Sequence, residues 1–301
     1  MPSKPILTKS FLWLTWLIYV GYLLLSDFPP GESLLHITSA TLGEVLDLSF
    51  NFWFVTPLVL PDLAPTLHPA LEGLFNLVVA WAVLFWGFAI DGRSQRWPIV
   101  PFLLGTAFLT NVFYLPWLGL RQSYAPGQNA HQNSHPHSPP TSLTPWERLG
   151  ESQLLPIAMA IVALASILWA GFARPEFGSW GDRWLDLGDL VQHDRLAYSF
   201  AVDLGMFWLF QSWLVEDDLR RRGAILGSGP SAFAPESTQK STQKSTQKAD
   251  PEINLQPNPQ PNQLSPQARR LLWISRLIPF WGLVIYLLAR PPLPPASPSA
   301  E

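Results

Sequence analysis

The chain is 301 residues long, carries a net charge of -3, and draws only 14% of its residues from Asp, Glu, Lys and Arg, against roughly 25% in an ordinary soluble domain. That balance, with no basic face interleaved with aromatics, excludes nucleic-acid binding. The absence of cysteine excludes disulfides, thiolate nucleophiles, cysteine-ligated iron–sulfur clusters and covalent c-type haem.

The N-terminus places Lys4 and Lys9 before the apolar run Phe11 to Leu25. A first membrane anchor near 11–26 is preferred to a signal peptide, because Ser26-Asp27-Phe28-Pro29-Pro30 offers no small-x-small cleavage site. A second candidate covers 42–60 but contains Glu44, Asp47 and Asn51, so a crossing and a re-entrant or interfacial segment both fit. The run 71–90, LEGLFNLVVAWAVLFWGFAI, is the cleanest span: at about 1.5 Å per residue it covers about 30 Å, the thickness of a hydrocarbon core. After the polar turn DGRSQRW, the stretch 98–120 predicts a further span, with Pro98 and Pro101 suited to its first turn.

Residues 121–151 form a polar loop too poor in apolar residues to build a core. The span 154–172 follows, with Ala163, Ser166 and Ala170 on one face, a spacing that lets another backbone approach closely. The connection WGDRWLDLGDLVQHDR puts Trp184, Leu187, Leu190 and Val191 on one side, as in an interfacial helix. The span 196–215 carries Asp203 inside it and ends at Glu216-Asp217-Asp218 and Arg220-Arg221-Arg222. Residues 223–267, with three copies of Ser-Thr-Gln-Lys, read as a disordered linker; a last span covers 268–290, and a Pro-rich tail 291–301. The expected fold is therefore an all-α polytopic transmembrane bundle of six or seven spans. Counting Lys and Arg on each side of a seven-span bundle puts the N-terminus in the cytoplasm.

Ionisable groups within a span cost a few kcal/mol on insertion scales, which makes each a functional candidate. Asp203 leads, with Arg276 as a possible counter-charge; Glu72 and Asn76 share a helix face, as do Asp47 and Asn51, and Asn111 is mid-span. Interhelical hydrogen bonding is the structural alternative for all six. His131, His135 and His137 lie in a loop with neither fixed geometry nor supporting partners, and the acids Asp182, Asp186, Asp189 and Asp194 match no metal motif, so no metal is expected. No P-loop, G-x-G-x-x-G, G-x-S-x-G or H-E-x-x-H is present, and neither catalysis nor a cofactor is expected. Most of the 15 Trp suit the membrane interface; pigment or quinone contact at Trp81 and Trp86 would be invisible in sequence.

Three blocks, LHPALEGLFNLVVAWAVLF, QRWPIVPFLLGTAFLTNVFYLPWLGLR and DRLAYSFAVDLGMFWLFQSWLVEDDLRRRG, resemble an uncharacterised family of multi-pass membrane proteins from cyanobacteria and plastids. The resemblance implies a photosynthetic organism and a plasma, envelope or thylakoid membrane, and it supplies no catalytic residue. Two functions remain open at this point. The first reading is a non-catalytic factor that organises another membrane complex, resting on missing chemistry and on small-residue and Trp-rich packing surfaces, with Asp217, Asp218, Arg220, Arg221 and Arg222 as its partner surface. The other is a small-solute or proton-coupled transporter using Asp203. Both take the lipid bilayer as their principal partner.

Overall fold

The computed structural model describes residues 4–39, 66–91, 97–121, 143–226 and 263–293, with isolated positions 43, 53, 56, 59 and 60. Helix α1 (Lys4–Val20) continues through one π turn, Gly21–Leu25; α2 is Pro69–Ala89 and α3 Ile99–Leu120. The short α4 (Pro145–Glu151) leads into α5 (Leu154–Phe172), a 3-10 turn at Pro175–Phe177, α6 (Trp180–His193) and α7 (Arg195–Arg221). The two-residue strands β1 (Ile225–Leu226) and β2 (Gln263–Leu264) pair antiparallel, and α8 (Pro266–Leu277) and α9 (Trp281–Ala289) follow.

Local chemistry sets where these helices begin. His68 Nδ1 accepts the Ala70 N–H ahead of Pro69 in α2. Capping boxes open α4 at Thr144–Glu147 and α6 at Ser179–Asp182, and Asp194 accepts the Ala197 N–H at 2.8 Å to open α7. Such caps satisfy N–H groups that the helix itself leaves unpaired.

Helix α2 is the central post. Against α5 it presents Gly73, where an added Cβ would lie 2.6 Å from the Ser166 carbonyl oxygen and 2.7 Å from the Ala170 Cβ. Against α7 its Phe85 ring meets Phe207 edge to face, with centroids 5.1 Å apart. Several ion pairs gather at the two ends of α2. At the Glu72 end lie Arg174, which pairs with Glu72, and Asp186, which approaches His68. At the Asp91 end lie Arg121, Glu151, Asp218 and Arg290.

The all-α class holds, and the span count does not. Among the described residues three helices are long and apolar enough to cross a membrane: α2, α3 and α5. The apolar stretch Lys9–Leu25 of the first helix falls short of that length. Helix α7 has 27 residues, but Asp203, Gln211 and the charges from Glu216 onward interrupt it. The stretch 42–60 lies almost wholly outside the described residues, as do most of loop 121–151, linker 223–267 and tail 291–301. The residues that flank 42–60 are placed: Gly31 is held by Arg195, and His68 lies against Asp186, both at the Glu72 end.

The expected span at 268–290 is two helices. Ile278 is extended ahead of Pro279, Phe280 takes φ +56, and an added Cβ on Gly282 would lie 2.5 Å from the Ile274 carbonyl oxygen. Proline disfavours helical backbone in the residue before it, so α8 ends there and α9 doubles back along it. Arg290 therefore returns to the Asp91 end, beside Glu151 and Asp218, where a single crossing at 268–290 would have carried it to the opposite end.

Helix α3 doubles back as well. Leu109 (φ -125, ψ 33) and Thr110 (φ 25, ψ -105) leave helical geometry at its middle. An added Cβ on Gly105 would sit 2.3 Å from the Phe113 ring, and the Phe102 and Trp117 rings lie 5.1 Å apart. In a straight helix those pairs would be separated by about 12 Å and about 22 Å. Asp91 at the start of the connection pairs with Arg121 at the end of α3, so the segment enters and leaves at the same end. The fold contains two helical hairpins, α3 and α8–α9, set among the helices α1, α2, α5 and α7. The antiparallel, membrane-length α2 and α5 make this a multi-pass membrane protein.

Candidate functional site

The tip of the α3 hairpin meets Asp203. Thr110 donates its hydroxyl to Asp203 Oδ2 at 2.6 Å, Asn111 donates Nδ2 to Oδ1 at 2.6 Å, and the Tyr19 hydroxyl donates to Oδ1 at 2.7 Å. Three separate elements, α1, α3 and α7, thus supply one carboxylate. Its recorded partners are all neutral, and Asp203, Thr110 and Asn111 are buried. The second half of α3 starts at Asn111, so its N-terminus, the positive end of the helix dipole, faces the carboxylate. Burial disfavours the anion while the donors and the dipole favour it.

Packing explains the placement. Tyr19 is the buried residue near the end of α1, and Trp16, one turn earlier, donates Nε1 to the Val112 carbonyl at 2.9 Å. That bond ties α1 to the hairpin just past its break. Arg195 fastens the other end of the first helix by donating to the carbonyls of Leu23, Ser26, Pro29, Pro30 and Gly31.

The other sequence candidates do not gather at this point. Glu72 is buried and accepts from Trp169 Nε1 at 2.8 Å and from Arg174 at 3.3 Å, which joins α2 to the end of α5. Asn76 donates to the Glu72 backbone carbonyl at 2.7 Å. Asp47 and Asn51 lie outside the described residues, as do His131, His135 and His137. Arg276, considered as a counter-charge for Asp203, instead reaches Glu216 at 3.2 Å and lies over the Trp273 ring. No cluster of three His, Asp or Glu with metal-binding geometry occurs among the described residues.

The proposed partner surface turns mostly inward. Asp218, Arg221 and Arg222 are buried; Asp217 pairs with Arg121 at 3.2 Å, and Arg220, which is exposed, pairs with Glu216 within its own helix. Arg222 bonds both Asp218 and Glu151, and Tyr286 donates to Asp218 at 2.7 Å. Burial alone would raise the Asp218 carboxyl, but the cations of Arg222, Arg290 and Arg221 beside it hold it below the usual carboxylate range. This network ties α4, α7 and the end of α9 together at the Asp91 end.

A second polar joint lies at the α8–α9 tip. Gln211 donates to the carbonyls of Ser275 at 2.6 Å and Ile278 at 3.1 Å, and accepts from Trp81 Nε1 at 3.1 Å. Sequence reasoning missed Gln211, Thr110 and Tyr19. For Thr110 one signal was available: adjacent Thr and Asn at the centre of an apolar stretch. No protein-family model, curated protein or solved structure matches this chain.

Proposed function

We propose that this chain is a small-solute or proton-coupled membrane transporter, with Asp203 as the group that binds or carries the coupled species. The observation that carries the reading is a buried carboxylate, held by neutral donors among the described residues, at the reversal of a 22-residue apolar hairpin. Irregular backbone at membrane depth is tolerated where protein buries it or where it lines a cavity. Broken helices whose half-helix ends meet polar groups recur in transporter binding sites. The organising-factor reading rests on missing chemistry and on small-residue and Trp-rich packing surfaces, and most charges of the Asp217 to Arg222 cluster, its expected partner surface, are satisfied inside the fold.

The membrane we propose for the transporter is a plasma or thylakoid membrane, a reading supported by the resemblance of three sequence blocks to cyanobacterial and plastid proteins. Arg148, Arg220, Arg269 and Arg270 crowd the Asp91 end, against Arg174, Arg183 and Arg195 at the other. The positive-inside tendency supports a cytoplasmic Asp91 end, and with it a cytoplasmic N-terminus of α1.

The test is gradient-driven uptake of labelled amino acids, sugars and inorganic ions into vesicles that hold the purified chain. Asp203→Asn should abolish the flux that wild type supports and leave folded protein in the vesicle membrane. Equal flux in Asp203→Asn overturns the reading.

A further inference from the structure

Two observations identify the species that Asp203 takes up and the side from which it arrives; the inference rests on the transport reading. The first is spacing. Oxygens that share a hard metal cation at metal–oxygen distances of about 2.0–2.6 Å stand about 2.8–3.7 Å apart when they meet at right angles, whereas hydroxyls hydrogen-bonded to a carboxylate sit at about 2.5–2.7 Å. The Thr110 and Tyr19 hydroxyls lie 2.6 and 2.7 Å from Asp203. A proton fits that spacing; a metal ion has to force it open.

The second is a row of unpartnered polar atoms. On the second half of α3, Asn111 Oδ1, Tyr114 Oη, Trp117 Nε1 and Arg121 Nε are buried and have no hydrogen-bond partner among the described residues. Their intervals of three, three and four keep them on one broad side of the helix. Asn111, Tyr114 and Arg121 face the seam between α2 and α7, and Trp117 lies against Phe102 of the other leg of α3. Asn111 reaches Asp203, the Tyr114 ring stacks on Phe85 with centroids 5.0 Å apart, and Arg121 pairs with Asp91 and Asp217. Native proteins leave few buried polar atoms unsatisfied, and internal water commonly serves those that remain. Three further orphans, His68 Nε2, Arg221 Nε and Arg290 Nη1, lie outside this row at the two ends of α2; the four of the row run from the carboxylate to the Asp91 end.

We propose that this row is a hydrated proton route connecting Asp203 to the Asp91 end. A hydronium at that end gives its proton to the first internal water and leaves as water. Each oxygen in turn, the Tyr114 hydroxyl included, accepts one proton and releases another. The last proton ends on the Asp203 carboxylate as a neutral acid, and Tyr19 and Thr110 turn their hydroxyls to suit. The titratable and charged groups facing the route among the described residues are Asp91 at the end of α2, Tyr114 on α3 and Arg121 at its end, Asp217 and Arg221 on α7, and Tyr19 from α1. At the other end Tyr22 and Tyr198 bond each other at 2.8 Å, and Arg195 is committed to backbone carbonyls.

The full chain in lipid nanodiscs, given a rapid downward pH jump and followed by time-resolved infrared spectroscopy, tests this. A carboxylic-acid carbonyl band should grow in wild type and be missing in Asp203→Asn. Tyr114→Phe keeps the stacked ring and removes the hydroxyl; it should slow the rise on the order of tenfold and leave the final amplitude unchanged. Tyr22→Phe should leave the rate at the wild-type value. Equal rates in wild type and Tyr114→Phe, or slowing in Tyr22→Phe instead, overturn the route. A band that answers to added sodium at fixed pH, or no Asp203 band at all, overturns the proton. Vesicle flux is measured separately: a titrating Asp203 in a chain that moves no solute overturns the transport reading, whereas flux that depends on Asp203 with equal infrared rates in wild type and Tyr114→Phe overturns the route alone.

Discussion

Asp203 and Gln211 lie eight residues apart on one face of α7, and each secures the turn of a different helical hairpin: Asp203 binds Thr110 and Asn111, and Gln211 binds the Ser275 and Ile278 carbonyls. At about 1.5 Å per residue the two joints sit about 12 Å apart along the helix. Helix α7 is thus the element against which both reversals are fixed.

The hairpin reading of α3 is checked by labelling. The chain contains no cysteine, so single replacements report cleanly. Trp97→Cys, Arg148→Cys and Arg220→Cys should react with an impermeant thiol reagent from one side of sealed vesicles, and Gln192→Cys from the other. A straight crossing at 99–120 would put Trp97 and Arg148 on opposite sides.

Gln211→Leu strips two buried carbonyls of their donor and the Trp81 indole of its acceptor. The expected loss is about 2–3 kcal/mol, read as a lower thermal midpoint in detergent. Uncoupling of the α8–α9 hairpin should appear as faster proteolysis between Leu277 and Trp281.

Gly105→Ala drives a methyl group into the Phe113 ring, whose nearest atom would be 2.3 Å away. Overpacking of this kind costs about 1–3 kcal/mol. The double variant Gly105→Ala with Phe113→Ala should recover part of the Gly105→Ala loss relative to the sum of the single effects, a coupling that denaturation of all four proteins measures.

Asp218 predicts a pH dependence. Its carboxyl is held below the usual range in the folded state, so the unfolded chain binds that proton more readily. The resulting stability is present above the unfolded carboxyl value and is lost as pH falls through the lower folded one. Wild type should lose thermal stability on acidification below the ordinary Asp range. Asp218→Asn should flatten that slope and cost about 3–5 kcal/mol at neutral pH, because it leaves buried arginines short of a counter-charge.

Composition and periodicity made several elements legible. The α2 and α5 stretches were evident from their apolar length, and the small face at Ala163, Ser166 and Ala170 is where Gly73 packs. Asp203 and Asn111 stood out as polar groups in apolar surroundings, and the structure joins them. The reversal at Leu109 and Thr110 was hidden, because hydropathy measures the length of an apolar stretch and not its direction: 22 residues suffice for one crossing or for two half-helices. The C-terminal stretch misled in the same way, although Pro279 carried a backbone signal. Tyr19 and Arg195 were illegible for another reason. Their partners lie far along the chain, and no local pattern encodes a contact of that range.

That range has a consequence for biosynthesis. Tyr19 and Asp203 are separated by 184 residues, and Arg195, which fastens the end of the first helix, is made only shortly before Asp203. A ribosome releases the first helix and the α3 hairpin long before the helix that holds them together. Until then the Thr110–Asn111 turn has no carboxylate to bind, and Tyr19 faces lipid or the insertion machinery. The pocket is a late product of synthesis, so a chain cut short before residue 195 should fail quality control as a molecule whose parts have all been made and have nothing to close upon.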